Sequence, residues 1–264
     1  MIRKNFIEVD VFGIPIAKLT MLETLLVVEE AIEKEEQLHH VVVNAGKIVA
    51  MQNNPFLKKF VLGADLINVD GMAVLWAANL VGKNLPERVA GIDLMENLVE
   101  LAYENNYKCF FLGAKEEVVT DVVRHYSEMY NPNVVAGYHN GYFTRADDVK
   151  IAKMIVDSGA QILFVAMESP LKEIFLDSNK DLLGKVNMIM EVDSGFDVVA
   201  GKLIRNPVWI QATGLEWIFR FIQEPKRMLK KYFVGKGKFL APTIKELFAK
   251  KPSSKKNIHA HETI

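Results

Sequence analysis

Up to about residue 200, short runs of β-branched and apolar residues alternate with longer stretches whose apolar positions recur every three or four residues. The runs HVVVN (40–44), LINVD (66–70), KCFFLG (108–113), NVVAGY (133–138), QILFVA (161–166) and VNMIMEV (186–192) predict strands. Helical periodicity falls near 21–35, 47–60, 72–81, 94–106, 116–129, 147–158 and 171–183. Strand and helix taking turns in this way predict an α/β fold, a mostly parallel sheet with helices on both faces. No internal repeat of fixed period is present.

Ligands of open α/β sheets bind beyond the carboxyl ends of the strands. The segments leaving those ends are NAGK (44–47), DG (70–71), GAKEE (113–117), HNGYF (139–143), ESP (168–170) and DSGFD (193–197), rich in Gly, Asn and Asp where the strands are not. His39 and His40 sit at the entry of the first strand, on the opposite side, and are expected to be plain surface residues.

After residue 200 the chain turns helical, aromatic and basic, with no further strand pattern. This predicts a core over 1–200, a helical appendage over 201–240 and a lysine-rich, flexible tail over 241–264. Pro225 suits the first turn of a new helix. At 100° per residue, Lys226, Arg227, Lys230 and Lys231 fill one arc of about 140°, and Met228, Leu229, Tyr232 and Phe233 fill the other. Such a helix binds a membrane surface or packs its apolar side on the body, and both readings stand.

Of the 264 residues, 50% are hydrophobic and 25% charged, the balance of a soluble globular protein. The single cysteine, Cys109, lies within CFFL and reads as a packed core thiol; with no disulfide framework, a reducing compartment is expected. No stretch approaches the roughly 18 uncharged apolar residues of a membrane span, so the protein is expected in the cytoplasm. The formal net charge of −1 hides an asymmetry: residues 226–264 carry 11 Lys/Arg against 2 Asp/Glu, leaving 21 against 31 for the rest. A basic end on an acidic body points to a polyanionic partner, and the amphipathic pattern favours an anionic membrane surface over nucleic acid. Oligomeric state is left open, a homo-oligomer included.

No glycine fingerprint follows a strand, no phosphate loop is present, and no His/Cys/Asp spacing suits a metal, so neither a metal nor a cofactor is expected. Asp70 has two readings. With Gly71 it can cap the helix at 72–81, or it can act as a general base at the end of a strand. Asn44 is similarly either a helix cap or an amide contact to a sugar. Asp93 pairs with Glu96 as a capping box. Arg88, in the loop NLPERVAG, suits a diphosphate clamp. His139 reads as part of a turn.

The blocks VNAGKIVAMQ, ADLINVDGMAV, LPERVAGIDLM, FFLGA, GYHNGYF, LFVAMESPLKE, GFDVVAGKLIRNP and GLEWIFRFIQEPKRM resemble, in order and spacing, the WecG/TagA/CpsF glycosyltransferases from about residue 8 to 240. The resemblance implies a Rossmann-like core with a C-terminal appendage that completes the site at the inner face of the membrane. It also implies an inverting, metal-independent transfer of an N-acetylmannosamine-type sugar from a UDP donor to a polyprenyl-diphospho-N-acetylglucosamine acceptor, as in teichoic-acid synthesis. By the same resemblance Asp70 is the catalytic base, and Asn44, Arg88, Lys172, Arg205, Arg220, Arg227 and Lys230 bind substrate. Lys230 stands where an arginine is expected.

Three places in the chain depart from the family pattern. GAPKQE is here ESPLKE, which introduces Glu168 and Lys172; VGGxFD is VDSGFD, which introduces Asp193 and Ser194; and Val42 replaces a polar residue. Carboxylates where glycines usually approach a phosphate put like charge against a UDP donor. The competing expectation is therefore a degenerate homologue that serves as a membrane-associated binding or scaffolding subunit. A dinucleotide oxidoreductase has no glycine fingerprint to support it.

Overall fold

The structure, a computed structural model, describes residues 6–204. Arg205, Arg220, Arg227, Lys230, the tail and all of the expected appendage beyond residue 204 lie outside the described residues. The element order is β1 (Glu8–Val11), β2 (Ile14–Ala17), α1 (Met21–Glu33), β3 (Leu38–Val43), α2 (Ala45–Asn53), α3 (Pro55–Leu62), β4 (Leu66–Val69), α4 (Met72–Leu80) and α5 (Gly91–Glu104). It continues through β5 (Cys109–Gly113), α6 (Glu116–Met129), β6 (Val135–His139), α7 (Asp148–Asp157), β7 (Ile162–Ala166), α8 (Leu171–Ser178), β8 (Met188–Glu191) and α9 (Gly195–Val199).

All six expected strands form one sheet in the order β4-β3-β8-β7-β5-β6, and every pairing in it is parallel. One face packs α1, α5, α6 and α9 over Leu38, Met188, Met190, Phe164 and Phe111. The other face carries two separate apolar clusters. Val41, Val43, Ile67 and Val69 lie under α2, α3, α4 and the hairpin, while Leu112, Leu163, Val165 and Ile189 lie under α7 and α8. The two meet at the β3–β8 pair.

Local chemistry explains where elements start and stop. Thr20 and Glu23 form the capping box of α1. The single helix expected over 47–60 is two, because proline disfavours a helical conformation in the residue before it: Asn54 is extended, and its side chain caps α3 at Leu57 N, 3.1 Å away. The helix expected over 171–183 stops at Ser178, and a 3₁₀ turn follows at Leu182–Lys185. The periodicity missed the antiparallel hairpin β1–β2, whose loop Phe12-Gly13 has positive φ at both residues (57° and 77°), as a tight two-residue hairpin requires.

The histidines are not surface residues. His40 lies inside β3 and is wholly buried, with Nε2 3.0 Å from Asn68 Oδ1, and the Asn68 amide faces Thr24 on α1. A strand at the centre of a parallel sheet has no solvent side, so the ring must be held neutral. Burial pushes its pKa down from 6.5 to about 4, the Asn68 hydrogen bond opposing the shift only in part. Because the folded value is the depressed one, the stabilisation is complete above 6.5 and is lost as pH falls through 4. The gap between 6.5 and about 4 corresponds to about 3 kcal/mol. In denaturant titrations at pH 7 and pH 4, His40→Gln is expected to lose about 3 kcal/mol less stability than the wild type between the two. Parallel losses would remove His40 from this role.

Candidate functional site

The chain leaves β3 and β4 toward one face of the sheet, into α2 and α4, and leaves β8 toward the other, into α9. Neighbouring strands that send their connections to opposite faces open a crevice at their carboxyl ends, and here it lies between β3 and β8. Asn44 borders it on one side and Asp193 with Ser194 on the other; Asp70 stands one strand further out.

Asn44 caps α2, its Oδ1 taking the Lys47 N–H at 3.0 Å. Asp70 does not cap the helix that follows it: Gly71 is the first-turn boundary of α4, and no side chain caps there. Instead Asp70 Oδ1 accepts the N–H of Gly91, the first residue of α5, at 3.0 Å. Among the described residues its second oxygen has no hydrogen-bond partner. Its own N–H bonds Val43 O at 2.9 Å, which seats it against the end of β3. A Cβ on Gly71 would come within 3.3 Å of the Asn44 Cβ, so the two turns are packed as one unit. α5 starts two residues before Asp93, which therefore lies in the first turn and is not its cap.

The loop carrying Arg88 is pinned along its length. Asn79 holds Leu85 through both backbone atoms, Glu87 caps Met21 at the start of α1, and Val89 N bonds Val69 O at 2.9 Å. Arg88 is half-buried between the last two anchors, three residues before the Asp70 partner Gly91.

Beneath the crevice, where the two apolar clusters meet, lies a cluster of charge. Glu191 Oε2 receives Lys47 Nζ at 2.8 Å and Lys172 Nζ at 3.2 Å, and His39 Nε2 stands 3.8 Å from Oε1. Lys172 also grips Asp193 Oδ1. The Lys172 side chain is 1% exposed, so its charge is taken up by carboxylates of the chain itself; Asp193 is 43% exposed. Against the cost of burial, Lys47 and Lys172 hold Glu191 well below the usual carboxylate range, and Lys172 and Lys47 likewise hold Asp193 low. Burial, reinforced by the charge of Glu191, pushes the neighbouring Glu173 up.

Two lysines thus face two ionised carboxylates, and the acid introduced at Asp193 is matched. Glu168, the other introduced acid, is exposed on the surface. Asp193 adopts a left-handed backbone (φ 38°), a conformation that glycine takes freely and that Asp tolerates. His139 is confined to its turn, with Nδ1 2.7 Å from Asn140 O, and burial pushes the Cys109 thiol up, as a core residue requires. Glu191 and Lys47 are the members that sequence pattern alone passes over. Their signal was a carboxylate ending the apolar run MIME and a lysine three residues after the Asn44 cap.

Lys172→Ala removes the ion-pair partner of Asp193 and one of the two lysines on Glu191. Glu191 keeps Lys47 and Asp193 keeps solvent, so what is lost is the buried hydrogen bonding of the ammonium group, and urea denaturation is expected to show a loss of about 1.5–3 kcal/mol. A loss below about 1 kcal/mol would mean that the cluster is solvated.

Residues 9–253, nearly the whole chain, match the sequence model of the glycosyl transferase WecG/TagA/CpsF family, and the chain belongs to that family.

Proposed function

We propose that this family member transfers an N-acetylmannosamine-type sugar from a UDP donor to a polyprenyl-diphospho-N-acetylglucosamine acceptor, with inversion and without a metal, in the synthesis of a teichoic-acid-like envelope glycan. Membership makes the protein a glycosyl transferase acting on a sugar donor and an acceptor. The observation that carries the mechanism is the Asp70 carboxylate. One oxygen is fixed by the Gly91 N–H and the other is left to act, at the carboxyl edge beside Asn44.

In this reading Asp70 takes the proton of the acceptor hydroxyl as that oxygen attacks the anomeric carbon. The bond from that carbon to the UDP oxygen breaks as the new one forms, and UDP departs with the electron pair. A single displacement needs one base and no covalent sugar intermediate, which gives inversion. Arg88 meets the diphosphate and offsets the charge that develops on it. Arg205, Arg220, Arg227 and Lys230 add cations from the segment beyond the described residues, and the basic amphipathic pattern at 226–233 meets an anionic membrane surface where the lipid-linked acceptor lies. No helix among the described residues is long and apolar enough to cross a membrane.

Asp193 is the observation behind the scaffold alternative, but its pairing with Lys172 removes most of the objection that it repels a nucleotide. Calorimetry with UDP and UDP-sugars separates the two readings. Micromolar binding that Arg88→Ala abolishes supports the enzyme, and no heat with any of them leaves the scaffold. Asp70→Asn should cut turnover by about 100-fold or more, as loss of a general base does. Its melting temperature should stay near that of wild type, because the amide oxygen still accepts the Gly91 N–H. A variant that keeps most of its rate would reduce Asp70 to the cap of α5.

A further inference from the structure

We infer that Asp193 selects the donor sugar, its outward oxygen accepting a hydrogen bond from a hexose hydroxyl in the crevice between β3 and β8. The inference rests on the donor reading above and deepens it. Four observations converge on this residue. It stands two positions beyond β8, at the point where the sheet's connections diverge. Its Oδ1 is fixed by Lys172, while Oδ2 has no partner among the described residues and the side chain stays 43% exposed. Its left-handed backbone aims the side chain from a position where most residues are strained. Behind it, Lys172 is buried at 1% exposure and is itself held by Glu191, which Lys47 also grips.

The chemistry of that arrangement narrows the ligand. A carboxylate oxygen only accepts, so it suits a hydroxyl or an amide N–H and opposes a phosphate. The paired lysines offer no spare cation to a phosphate, because their ammonium groups are engaged by Glu191 and Asp193. An anchored carboxylate with one oxygen presented outward also loses little freedom on binding. The diphosphate therefore belongs on the Arg88 side of the crevice and the hexose on the Asp193 side. Polyhydroxylated sugar is the class of ligand that this corner fits.

The test compares wild type with Asp193→Asn by calorimetry against UDP and against UDP-N-acetylhexosamines, and by NMR titration against the free N-acetylhexosamine. Hydrogen bonds to a charged group predict about a tenfold or greater loss of affinity for the nucleotide sugar, with UDP alone held within about twofold. Equal weakening of both ligands, or no change in either, would overturn the inference. If the wild type binds no nucleotide at all, the UDP-donor reading fails by itself, and the free sugar decides. Sugar shifts that vanish in Asp193→Asn then support the assignment; unaltered shifts, or none in the wild type, refute it. Asp193→Gly, which suits the left-handed backbone, supplies the same comparison should the Asn variant fold poorly.

Discussion

Glu191 ties together two halves that the apolar core barely joins. The face of the sheet that carries α2 and α8 has two hydrophobic clusters, one centred on β3 and β4 and one on β7 and β5, and among the described hydrophobics only Phe60 on α3 packs against both. A lysine from each side, Lys47 on α2 and Lys172 on α8, closes on the one carboxylate at the end of β8. Such a cluster is costly to desolvate and is retained only if its geometry is good and its charges match. That match fixes the walls of the crevice and lets an introduced acid, Asp193, sit at its rim without leaving net negative charge below.

Asp70 illustrates why structural and chemical roles need not compete. The carboxylate is a cap, but of α5 rather than of the helix that follows it in sequence. Holding a helix start twenty-one residues away engages one oxygen and orients the other. Gly71, closely packed on Asn44, ties the same corner to the end of β3, and the pinned loop brings Arg88 to the neighbourhood. The candidate base, the candidate amide and the candidate clamp are thus set by backbone hydrogen bonds rather than by mobile side chains.

The parallel sheet and most helices were legible because buried strands read as unbroken apolar runs and surface helices keep a period near 3.6. What escaped was non-local or too short. The hairpin strands are four residues each; β1 carries Glu8 and Asp10 and β2 contains Pro15, so neither sustains a pattern long enough to announce it. The break at Asn54-Pro55 was visible as a proline, yet apolar positions continue across it. His40 looked like surface because its chemistry is polar, and only the register of β3 between β4 and β8 shows that it has no solvent side. The partners of Asp70 and Lys172 lie about twenty residues away along the chain, beyond the reach of any local pattern.

Gly113, at the end of β5, has a φ of 132°, and a Cβ there would lie 2.5 Å from the Ala166 carbonyl on β7. That stretch of the rim is closed to variation, since every other residue would force two central strands apart. Among the carboxyl-end turns the one after β8 is open instead: Asp193 holds a left-handed backbone with a full side chain in place.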